Sequence, residues 1–292
     1  MKRIAVVGSG LAGLSAAYAL SSLCKVVIFD HKGVGGGASG IAAGLLHPYA
    51  GKKGLLSWES NEALMKAKAL IDQAEKALGV PTAHRGGILR EGLITSPLSD
   101  VISLGENKHL ITSGWTVFSS LYLQGLWRLC EQNGVDFEHK EITSLRDVQQ
   151  FDGCVIAVGA GIRFFKEFEG LNLGFVKGQL LTCHFPTILE RSISSTVYTA
   201  LSQNPYECHI GATYERDFIH EEPCLETATR LLKPSYPIIQ CRSGIRVTNR
   251  AHYFPILHQI GKFQYVITAL GSRGLLYHAL FADKLKEAFV TL

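Results

Sequence analysis

The first thirty residues hold the feature that most constrains how this chain folds, a glycine-rich turn between an apolar strand and a helix. Residues 3–8 form a short, mostly β-branched apolar run that predicts a buried strand. Residues 11–23 are rich in alanine and leucine and predict a helix, and residues 25–30 predict a second strand that ends in an acid. The glycines between strand and helix have the spacing G-x-G-x-x-G. Together these elements predict a βαβ unit that binds the phosphates of a dinucleotide.

Each glycine of the motif has its own physical purpose in such a turn. Gly8 permits the tight bend, Gly10 lets the backbone approach a pyrophosphate, and Gly13 lets the helix and strand pack closely. Asp30 ends the second strand, where a carboxylate accepts hydrogen bonds from the adenosine ribose. The alternatives are an ordinary glycine turn and, for Asp30, a solvated strand end. The strand, helix and acid that surround the glycines favour the nucleotide interpretation.

The glycine motif alone does not distinguish NAD from FAD, but a second segment of small residues follows it. Residues 36–44, GGASGIAAG, predict a second helix start around the pyrophosphate or the flavin, with Ser39 as phosphate donor and helix cap. An NAD dehydrogenase has no need of such an element at this place. The predicted cofactor is therefore FAD.

The rest of the chain alternates helices and strands at first and is richer in strands later. The remaining predicted helices are 58–79, 117–133, 222–233 and 274–290, and the remaining predicted strands include 135–142, 153–159, 238–247 and 254–268. Short segments between residues 174 and 214 predict an antiparallel sheet. The predicted fold class is α/β, a Rossmann-like FAD-binding domain with a mainly parallel sheet and an interleaved antiparallel α+β substrate domain. The predicted FAD-binding domain comprises residues 1–80, 115–170 and 245–292, and the substrate domain residues 81–114 and 171–244.

Composition and charge narrow the class of protein further. Of the 292 residues 47% are hydrophobic, which is enough for a sizeable core. The net charge of +4 comes from dispersed lysines and arginines, and it neither supports nor excludes an RNA partner. Seven cysteines without a C-x-x-C pair argue against a disulfide framework or a zinc site and suit a reducing cytosol. Because no apolar run reaches the roughly 20 residues that span a bilayer, we predict a cytoplasmic protein without a membrane span or a metal.

Several motifs carry a family resemblance that spans most of the chain. In order they are VVGSGLAGLSAAYAL, GASGIAAGLLHP, CVIAVGAGIRFF, VKGQLL, IGATYERDF, SGIRVTNRAHYFPIL and ALGSRGLLYHALFADKL. In this order they resemble the FAD-dependent amine-oxidising family that includes glycine oxidase, sarcosine oxidase and D-amino-acid oxidase. The last two motifs look closest to the flavin domain of the bifunctional enzyme that matures carboxymethylaminomethyluridine at the wobble position of tRNA. The sequence is shorter than most family members and contains no counterpart of that enzyme's methyltransferase domain.

The resemblance implies where the cofactor binds. In the family, a turn like GSRGL at residues 271–275 aims backbone N–H groups and a helix N-terminus at the flavin edge that gains negative charge on reduction. The alternatives are a simple helix start and, for Arg273, a structural role. Ile142 matches a position whose backbone contacts the adenine, or is a core strand residue. The predicted cofactor contacts are Gly8, Gly10, Leu11, Ala12, Gly13, Asp30, His31, Ser39, Gly40, Ala43, Gly44, Leu45, Ile142, Gly159, Gly271, Ser272, Arg273, Gly274 and Leu275.

The resemblance also implies three catalytic or substrate-binding residues. Arg246 aligns with the arginine that binds the substrate carboxylate, a task that suits the planar, permanently charged guanidinium fork. Arg242 and Arg250 are nearby alternatives for this clamp. Tyr198 matches a tyrosine that lines the substrate cavity, or is a half-buried aromatic of the sheet. His47 matches a position near the flavin face, where packing or capping is the alternative to catalysis.

The resemblance implies an FAD-dependent oxidoreductase that oxidises the C–N bond of an amino acid or N-substituted glycine by hydride transfer to the flavin. An alternative is a tRNA-modification oxidase that removes the carboxymethyl group of the wobble uridine, with tRNA as its partner. Another is a flavin-binding protein without catalysis, and an NAD-dependent dehydrogenase is the most distant. Neither the substrate, nor the electron acceptor, nor the oligomeric state follows from the sequence.

Overall fold

The computed structural model describes residues 1–252 and 254–291, and these contain six α-helices and 19 strands. The helices are α1 (Leu11–Ser21), α2 (Ala38–Ile41), α3 (Ser60–Leu78), α4 (Ser119–Gln132), α5 (Leu225–Leu232) and α6 (Gly274–Val290). Short 3₁₀ helices cover Leu145–Val148, Gly159–Phe164, Lys166–Phe168 and Gly271–Arg273. Tyr253 and Leu292, both within the predicted FAD-binding segment 245–292, lie outside the described residues.

The strands follow one another along the chain as β1 to β19. Those of the first half are β1 (Arg3–Val7), β2 (Lys25–Phe29), β3 (Leu45–Leu46), β4 (Tyr49–Ala50), β5 (Leu55–Leu56), β6 (Ala83–His84), β7 (Ile88–Glu91), β8 (Val101–Ser103), β9 (Lys108–Ile111), β10 (Trp115–Val117) and β11 (Asp136–Glu138). Those of the second half are β12 (Gly153–Ile156), β13 (Leu173–His184), β14 (Ser192–Ser194), β15 (Tyr198–Leu201), β16 (Glu207–Gly211), β17 (Ile238–Asn249), β18 (Ile256–Gly261) and β19 (Gln264–Thr268).

A six-stranded sheet organises the nucleotide-binding part of the molecule. Its order is β11-β2-β1-β12-β19-β18, with β18 antiparallel and the other five strands parallel. The apolar runs of β1 and β2 are buried on both faces, because helices α1, α3, α4 and α6 pack on one side and residues 142–168 cover the other. Parallel strands place their carboxyl ends at one edge, so the loops that follow β1, β2 and β12 meet there.

An eight-stranded sheet, which we call the large sheet, forms the second layer. Its order is β17-β13-β16-β15-β14-β7-β9-β8, and every pair is antiparallel except β14 with β7. Because side chains alternate between faces, Leu181, Cys183, Cys208 and Ile210 pack against α5 on one face. The opposite face, here called the inner face, carries Leu180, Tyr198 and Ala200 and packs against residues 41–45.

Two small sheets connect the layers. Strand β10 lies between β3 and β6 in a three-stranded antiparallel sheet, and β4 pairs with β5 in a hairpin. The segment that follows α2 therefore runs from the six-stranded sheet to the inner face of the large sheet. This connection brings residues predicted to bind the cofactor beside residues predicted to bind the substrate.

The predicted fold class is confirmed, and the differences lie in particular elements. The large sheet is mixed rather than purely antiparallel because β14 pairs in parallel with β7. The predicted strand 135–142 ends at Glu138, and the predicted strand 254–268 is a hairpin of β18 and β19. The predicted helix 222–233 is shortened to α5. The division into two domains stays a prediction, although β17 crosses the boundary drawn between residues 244 and 245.

Candidate active site

The turn between β1 and α1 has no room for side chains at two of its glycines. Gly8 has a φ of +104°, and a Cβ atom placed on it would lie 2.4 Å from the carbonyl oxygen of Ala157. A Cβ atom on Gly13 would lie 1.8 Å from the carbonyl oxygen of Gly8. The backbone N–H of Gly8 donates to the carbonyl of Phe29 at 2.8 Å, which ties the turn to β2. These contacts explain why the sequence has glycine at both positions.

The start of α1 has the geometry of an anion-binding site. Gly10 is the N-cap and offers no side chain to the free N–H groups of the first turn. The N–H of Leu11 donates to Ser39 Oγ at 3.1 Å, and a Cβ atom on Gly10 would lie 2.9 Å from the same oxygen. Backbone N–H groups and the helix dipole at this end attract a phosphate. Because Ser39 Oγ accepts from Leu11, its own proton is available to a second acceptor.

The structure corrects the prediction that Ser39 caps its own helix. Gly37 is the N-cap of α2, which has only four residues, and Ser39 lies within it. Its hydroxyl instead caps α1, so the GASG segment closes over the first helix start rather than building a second long one. A Cβ atom on Gly40 would lie 2.2 Å from the carbonyl oxygen of Gly35, so the small residues of this segment allow a close approach of two backbones.

Asp30 holds the glycine turn in shape. Its Oδ2 accepts hydrogen bonds from the backbone N–H and the hydroxyl of Ser9, both at 2.9 Å, and its Oδ1 accepts from the N–H of Lys32 at 2.8 Å. Each carboxylate oxygen accepts two hydrogen bonds, so Oδ1 retains capacity for one more. The residue thus has a structural task, and its bond to the adenosine ribose stays a prediction.

The other predicted contacts of the adenosine end surround Asp30. His31 is exposed, with Nδ1 4.0 Å from Glu141. Ile142 is buried in the apolar cluster below β2, but it lies in a loop because its strand ends at Glu138. Gly159 has a φ of +53° and begins the 3₁₀ helix after β12, with open space where a Cβ atom would be. Their contacts with the cofactor stay predictions.

The segment from Ala43 to Leu45 joins the two sheets. Gly44 has a φ of +81°, and a Cβ atom on it would lie 1.7 Å from the carbonyl oxygen of Val117. The N–H of Val117 donates to the carbonyl of Gly44 at 2.8 Å. Ala43 is buried, and Leu45 packs with Leu180 on the inner face. The backbone here is therefore fixed between the cofactor-binding loops and the large sheet.

The GSRGL turn lies against the start of α1. Gly271 has a φ of +57°, and a Cβ atom on Gly274 would lie 3.3 Å from Leu11 Cδ1. The starts of α1 and α6 are therefore neighbours, although 263 residues separate Leu11 from Gly274. Leu275 is buried, and Ser272 is exposed. The free N–H groups at the beginning of α6 are the predicted contacts of the flavin edge.

Arg273 holds the loop that follows β3. Its Nη1 donates to the carbonyl of His47 at 3.2 Å and its Nη2 to the carbonyl of Tyr49 at 2.6 Å. Burial lowers the pKa of the guanidinium to about 10, which leaves it charged at neutral pH. This geometry favours the structural alternative for Arg273.

His47 is buried and neutral at physiological pH. Burial, with the nearby charges of Arg273 and Arg90, lowers its pKa to about 3. Its Nδ1 accepts from the N–H of Tyr49 at 3.3 Å, and its Nε2 lies 3.5 Å from Ser194 Oγ. A general base works best with a pKa near the operating pH. These contacts support packing, and catalysis by His47 stays a prediction.

Arg246 extends over the inner face of the large sheet. It pairs across the sheet with Val176, and its Nη2 donates to the carbonyl of Thr213 at 2.7 Å. A Cβ atom on Gly178 would lie 2.2 Å from the same nitrogen, so the guanidinium occupies the space that a glycine leaves in the strand. Its Cζ lies 5.7 Å from the centre of the Tyr214 ring. The side chain is fixed, and its other N–H groups are available to a ligand.

Tyr198 and Arg246 influence each other electrostatically. Burial raises the pKa of Tyr198 to about 12, and the charge of Arg246 opposes part of this rise. The phenol is therefore protonated at neutral pH and able to donate. Of the two alternative clamps, Arg242 lies on the inner face, whereas Arg250 is exposed beyond the end of β17. The structure thus brings Tyr198 and Arg246 together and leaves Arg250 apart.

Sequence reasoning missed the residues that shape the floor of this site. Gly178 makes room for Arg246, and a Cβ atom on Gly211 would lie 3.0 Å from the hydroxyl oxygen of Tyr198. Thr213 supplies the carbonyl that orients Arg246. The available signal was a glycine within an otherwise apolar strand pattern, which indicates a close approach of another group.

Two kinds of feature are absent from the described residues. Within residues 1–252 and 254–291 there is no cluster of three or more His, Cys, Asp or Glu side chains arranged to hold a metal ion. In the same part of the chain, no helix has the length and apolar character to cross a membrane.

Solved structures with the same arrangement of sheets are similar over nearly their whole length. Glycine oxidase from Geobacillus kaustophilus superposes with a TM-score of 0.81 at 18% identity, covering 99% of this chain and 95% of that chain. Iminodiacetate oxidase from Chelativorans sp. BNC1 gives 0.80 at 18% identity, with coverage of 99% and 95%. Glycine oxidase from Bacillus cereus ATCC 14579 gives 0.79 at 18% identity, with coverage of 100% and 98%. No curated protein sequence is matched.

A family model matches nearly the whole chain. The match covers residues 3–92 and 96–288, and the family is described as FAD dependent oxidoreductase (DAO). It includes the glycine turn, the GASG segment, the inner face and the GSRGL turn. The cradle at the start of α1, where the N-cap Gly10 has no side chain and Ser39 bonds only the N–H of Leu11, fits the pyrophosphate of FAD. The chain therefore belongs to the DAO family of FAD-dependent oxidoreductases.

Proposed function

We propose that this enzyme oxidises the C–N bond of an amino acid or N-substituted glycine. The observation that carries the proposal is Arg246, a guanidinium held by Thr213 above a glycine floor, beside the protonated hydroxyl of Tyr198. A planar guanidinium binds a carboxylate through two parallel hydrogen bonds. Two similar solved structures are named glycine oxidase and iminodiacetate oxidase, and glycine and iminodiacetate both carry a carboxylate next to an amine.

We assign the cofactor-binding residues from the cradle at the start of α1. The N–H groups at the start of α1 and the hydroxyl of Ser39 would hold the pyrophosphate. Asp30 would accept hydrogen bonds from the ribose. The beginning of α6 holds the flavin edge that becomes negative, because a helix N-terminus stabilises negative charge. Bound FAD supplies the acceptor for the hydride that leaves the carbon next to the amine.

The protein's own contribution is orientation and exclusion of water. Arg246 fixes the carboxylate, and Tyr198 donates a second hydrogen bond to it or to the amine. The apolar wall of Leu45, Leu180 and Ala200 keeps water away from the reacting carbon. Holding the C–H bond in one direction converts a loose encounter into an aligned one. The scheme needs no side-chain base, because the substrate binds with a neutral amine.

The direct test is an anaerobic substrate screen on the purified flavoprotein. We expect glycine, sarcosine, proline, D-amino acids or iminodiacetate to bleach the flavin absorbance, and the matching amines without a carboxylate to leave it unchanged. Arg246→Met should weaken binding of the active substrate by about 2–5 kcal/mol, which is the cost of removing one partner of a buried charge pair. Arg250→Met, on an exposed arginine four residues further on, is the matched control.

Three outcomes of this screen would reject the proposal. Bleaching by carboxylate-free amines as fast as by amino acids would remove the need for Arg246. Equal losses of substrate affinity in Arg246→Met and Arg250→Met would show that Arg246 has no specific role in binding. Bleaching only by tRNA that carries the carboxymethylaminomethyl group would replace the small-molecule substrate with tRNA.

A further inference from the structure

The segment after β16 extends the large sheet, and Tyr214 lies in the middle of it. The N–H of Glu215 donates to the carbonyl of Lys177 at 3.0 Å, and the N–H of Lys177 donates back to the carbonyl of Glu215 at 2.9 Å. The N–H of Thr213 donates to the carbonyl of Gln179 at 3.1 Å. These bonds form a short antiparallel extension beside β13. Because side chains alternate along extended backbone, the ring of Tyr214 points away from the side chains of Thr213 and Glu215.

The side chains on either side of Tyr214 are fixed on the face of the sheet that α5 covers. Gln179 Nε2 donates to Glu215 Oε1 at 3.0 Å, and the hydroxyl of Thr213 donates to the same oxygen. Gln179 is fully buried, and its Oε1 accepts from the N–H of Cys224, the N-cap of α5, at 2.6 Å. The ring of Tyr214 is therefore directed towards the inner face, and the backbone that carries it is held in place.

The Tyr214 ring lies close to the guanidinium that is proposed to bind the substrate. Its centre is 5.7 Å from Arg246 Cζ and 5.4 Å from Arg216 Cζ, and both distances are within the reach of a cation–π interaction. Burial lowers the pKa of Arg246, and Tyr198 and Tyr214 oppose part of this shift. Tyr214 is 56% exposed, whereas Tyr198 is half-buried. Arg246 thus has one tyrosine on its protein side and another on its solvent side.

We propose that Tyr214 is a positioning residue that shields the ion pair between Arg246 and the substrate carboxylate from water. The inference rests on the proposed function, in which Arg246 binds this carboxylate. A carboxylate approaches a guanidinium in its plane, through the N–H groups, whereas an aromatic ring attracts the cation through its π-face. The ring and the carboxylate therefore do not compete for the same donors.

The shield has two physical effects. Because the ring takes the place of water, it lowers the local dielectric constant, and opposite charges attract more strongly in a medium of lower dielectric constant. The ring also attracts the guanidinium, so that the carbonyl of Thr213 and the ring together hold Arg246 in one orientation. Both effects act on binding of the carboxylate. Loss of the ring should therefore raise KM more than it lowers kcat.

The test uses a carboxylate ligand without an amine, on the FAD-loaded enzyme. Methoxyacetate has the shape of sarcosine with an ether oxygen in place of the amine, and it is titrated through the change in flavin absorbance. We expect Tyr214→Ala to weaken its binding about fivefold or more, the size of a partly desolvated cation–π contact. The loss should be larger in about 0.5 M than in about 0.02 M sodium chloride, because salt screens an exposed ion pair more than a shielded one.

Two further variants identify the ring as the cause. Tyr214→Phe keeps the ring and should retain both the affinity and the salt dependence of the unmodified enzyme. Tyr206→Ala is the matched control, because it removes a tyrosine that is 54% exposed just before β16, and it should also behave as the unmodified enzyme does. FAD content and thermal unfolding should be the same in all four proteins.

Several outcomes would overturn the proposal. Unchanged affinity in Tyr214→Ala, or a loss that does not grow with salt, would show that the ring shields no ion pair. An equal loss in Tyr214→Phe would assign the effect to the hydroxyl instead of the ring.

The variant Arg246→Met separates this inference from the proposed function. If it no longer binds methoxyacetate while Tyr214→Ala binds as tightly as the unmodified enzyme, the proposed function stands and the shield alone fails. If methoxyacetate does not bind the unmodified enzyme, or binds Arg246→Met equally tightly, the proposed function fails and the shield fails with it.

Discussion

The glycine turn and the inner face of the large sheet solve the same problem in different ways. Both leave out side chains so that another group approaches the backbone closely. In the turn, the crowding comes from nearby backbone, such as the carbonyl of Gly8 against Gly13. On the inner face it comes from a side chain 68 residues away, Arg246 against Gly178. The first arrangement follows from a local motif, and the second exists only after β13 and β17 have paired.

The difference has a consequence for substitution. A backbone carbonyl cannot move without breaking the turn, whereas the end of an arginine side chain can. A side chain added in the turn should therefore damage the fold and the cofactor site together. A side chain added on the inner face should damage substrate binding alone.

The largest expected effect is that of Gly13→Ala. The added methyl group would lie 1.8 Å from the carbonyl oxygen of Gly8, so α1 has to move away from β1. We expect a destabilisation of roughly 3 kcal/mol or more and a preparation that does not retain FAD. Gly170→Ala is the control, because its methyl group would meet no atom within 4 Å. Normal FAD content in Gly13→Ala, measured by flavin absorbance after denaturation, would contradict the account.

The next effect is that of Gly178→Ala on catalysis. The methyl group would lie 2.2 Å from Arg246 Nη2, which is the mobile end of a side chain. The guanidinium should shift while the sheet stays folded. A misplacement of about 1 Å costs about 100-fold in kcat/KM. We expect most of this loss to appear as a higher KM. FAD content and thermal unfolding should match those of Gly170→Ala, and an unchanged KM would show that Arg246 does not bind the substrate.

Arg273→Met should have an intermediate effect on stability. It removes the donors to the carbonyls of His47 and Tyr49, and a hydrogen bond from a charged donor contributes roughly 1.5–3 kcal/mol. The loop between the two regions should loosen, so FAD should dissociate faster. Chemical denaturation against the exposed control Arg230→Met measures the change. A loss no larger than that of the control would remove the anchoring role.

The dependence of stability on pH is smallest near neutrality and grows as the pH falls. Burial lowers the pKa of His47 to about 3 and those of His209 and His278 to about 4, from 6.5. The unfolded chain therefore binds protons that the folded chain does not, and stability is lost as pH falls below 6.5. Each group contributes up to about 1.4 kcal/mol per pH unit. Denaturation between pH 7 and pH 4.5 checks this slope, which should be smaller in His278→Gln; equal stability across this range would contradict it.

The two regions also differ in how far the sequence predicts them. Strand, glycine motif, helix and acid follow one another within thirty residues, so β1, α1, β2 and the turn could be predicted from local spacing. Ser39 was identified as a cap, but it caps α1 rather than its own helix, because that choice depends on how two loops meet in space. A glycine within a strand pattern, such as Gly178, indicates a close approach but not which group approaches, and the unpaired Arg242 gave no local signal. Their neighbours come from strand register, which no pattern within one strand determines.

The roles of four arginines likewise could not be predicted from local sequence. Arg242, Arg246, Arg250 and Arg273 all lie in the last quarter of the sequence, and residue type alone does not separate them. In the structure their partners do: backbone carbonyls hold Arg246 and Arg273, Arg250 is exposed, and Arg242 has no partner in the described part of the chain. Burial and partner, rather than charge, divide them into binding and structural residues.

The central claim is that Arg246 binds the substrate carboxylate above the glycine floor of the inner face. The most direct measurement is anaerobic reduction of the bound flavin by a carboxylate-bearing amine, compared between the unmodified enzyme, Arg246→Met and Arg250→Met. The account predicts rapid bleaching in the first and third proteins, and a loss of substrate affinity of about 2–5 kcal/mol in the second, with full FAD content in all three. Bleaching with equal affinity in all three proteins would contradict it.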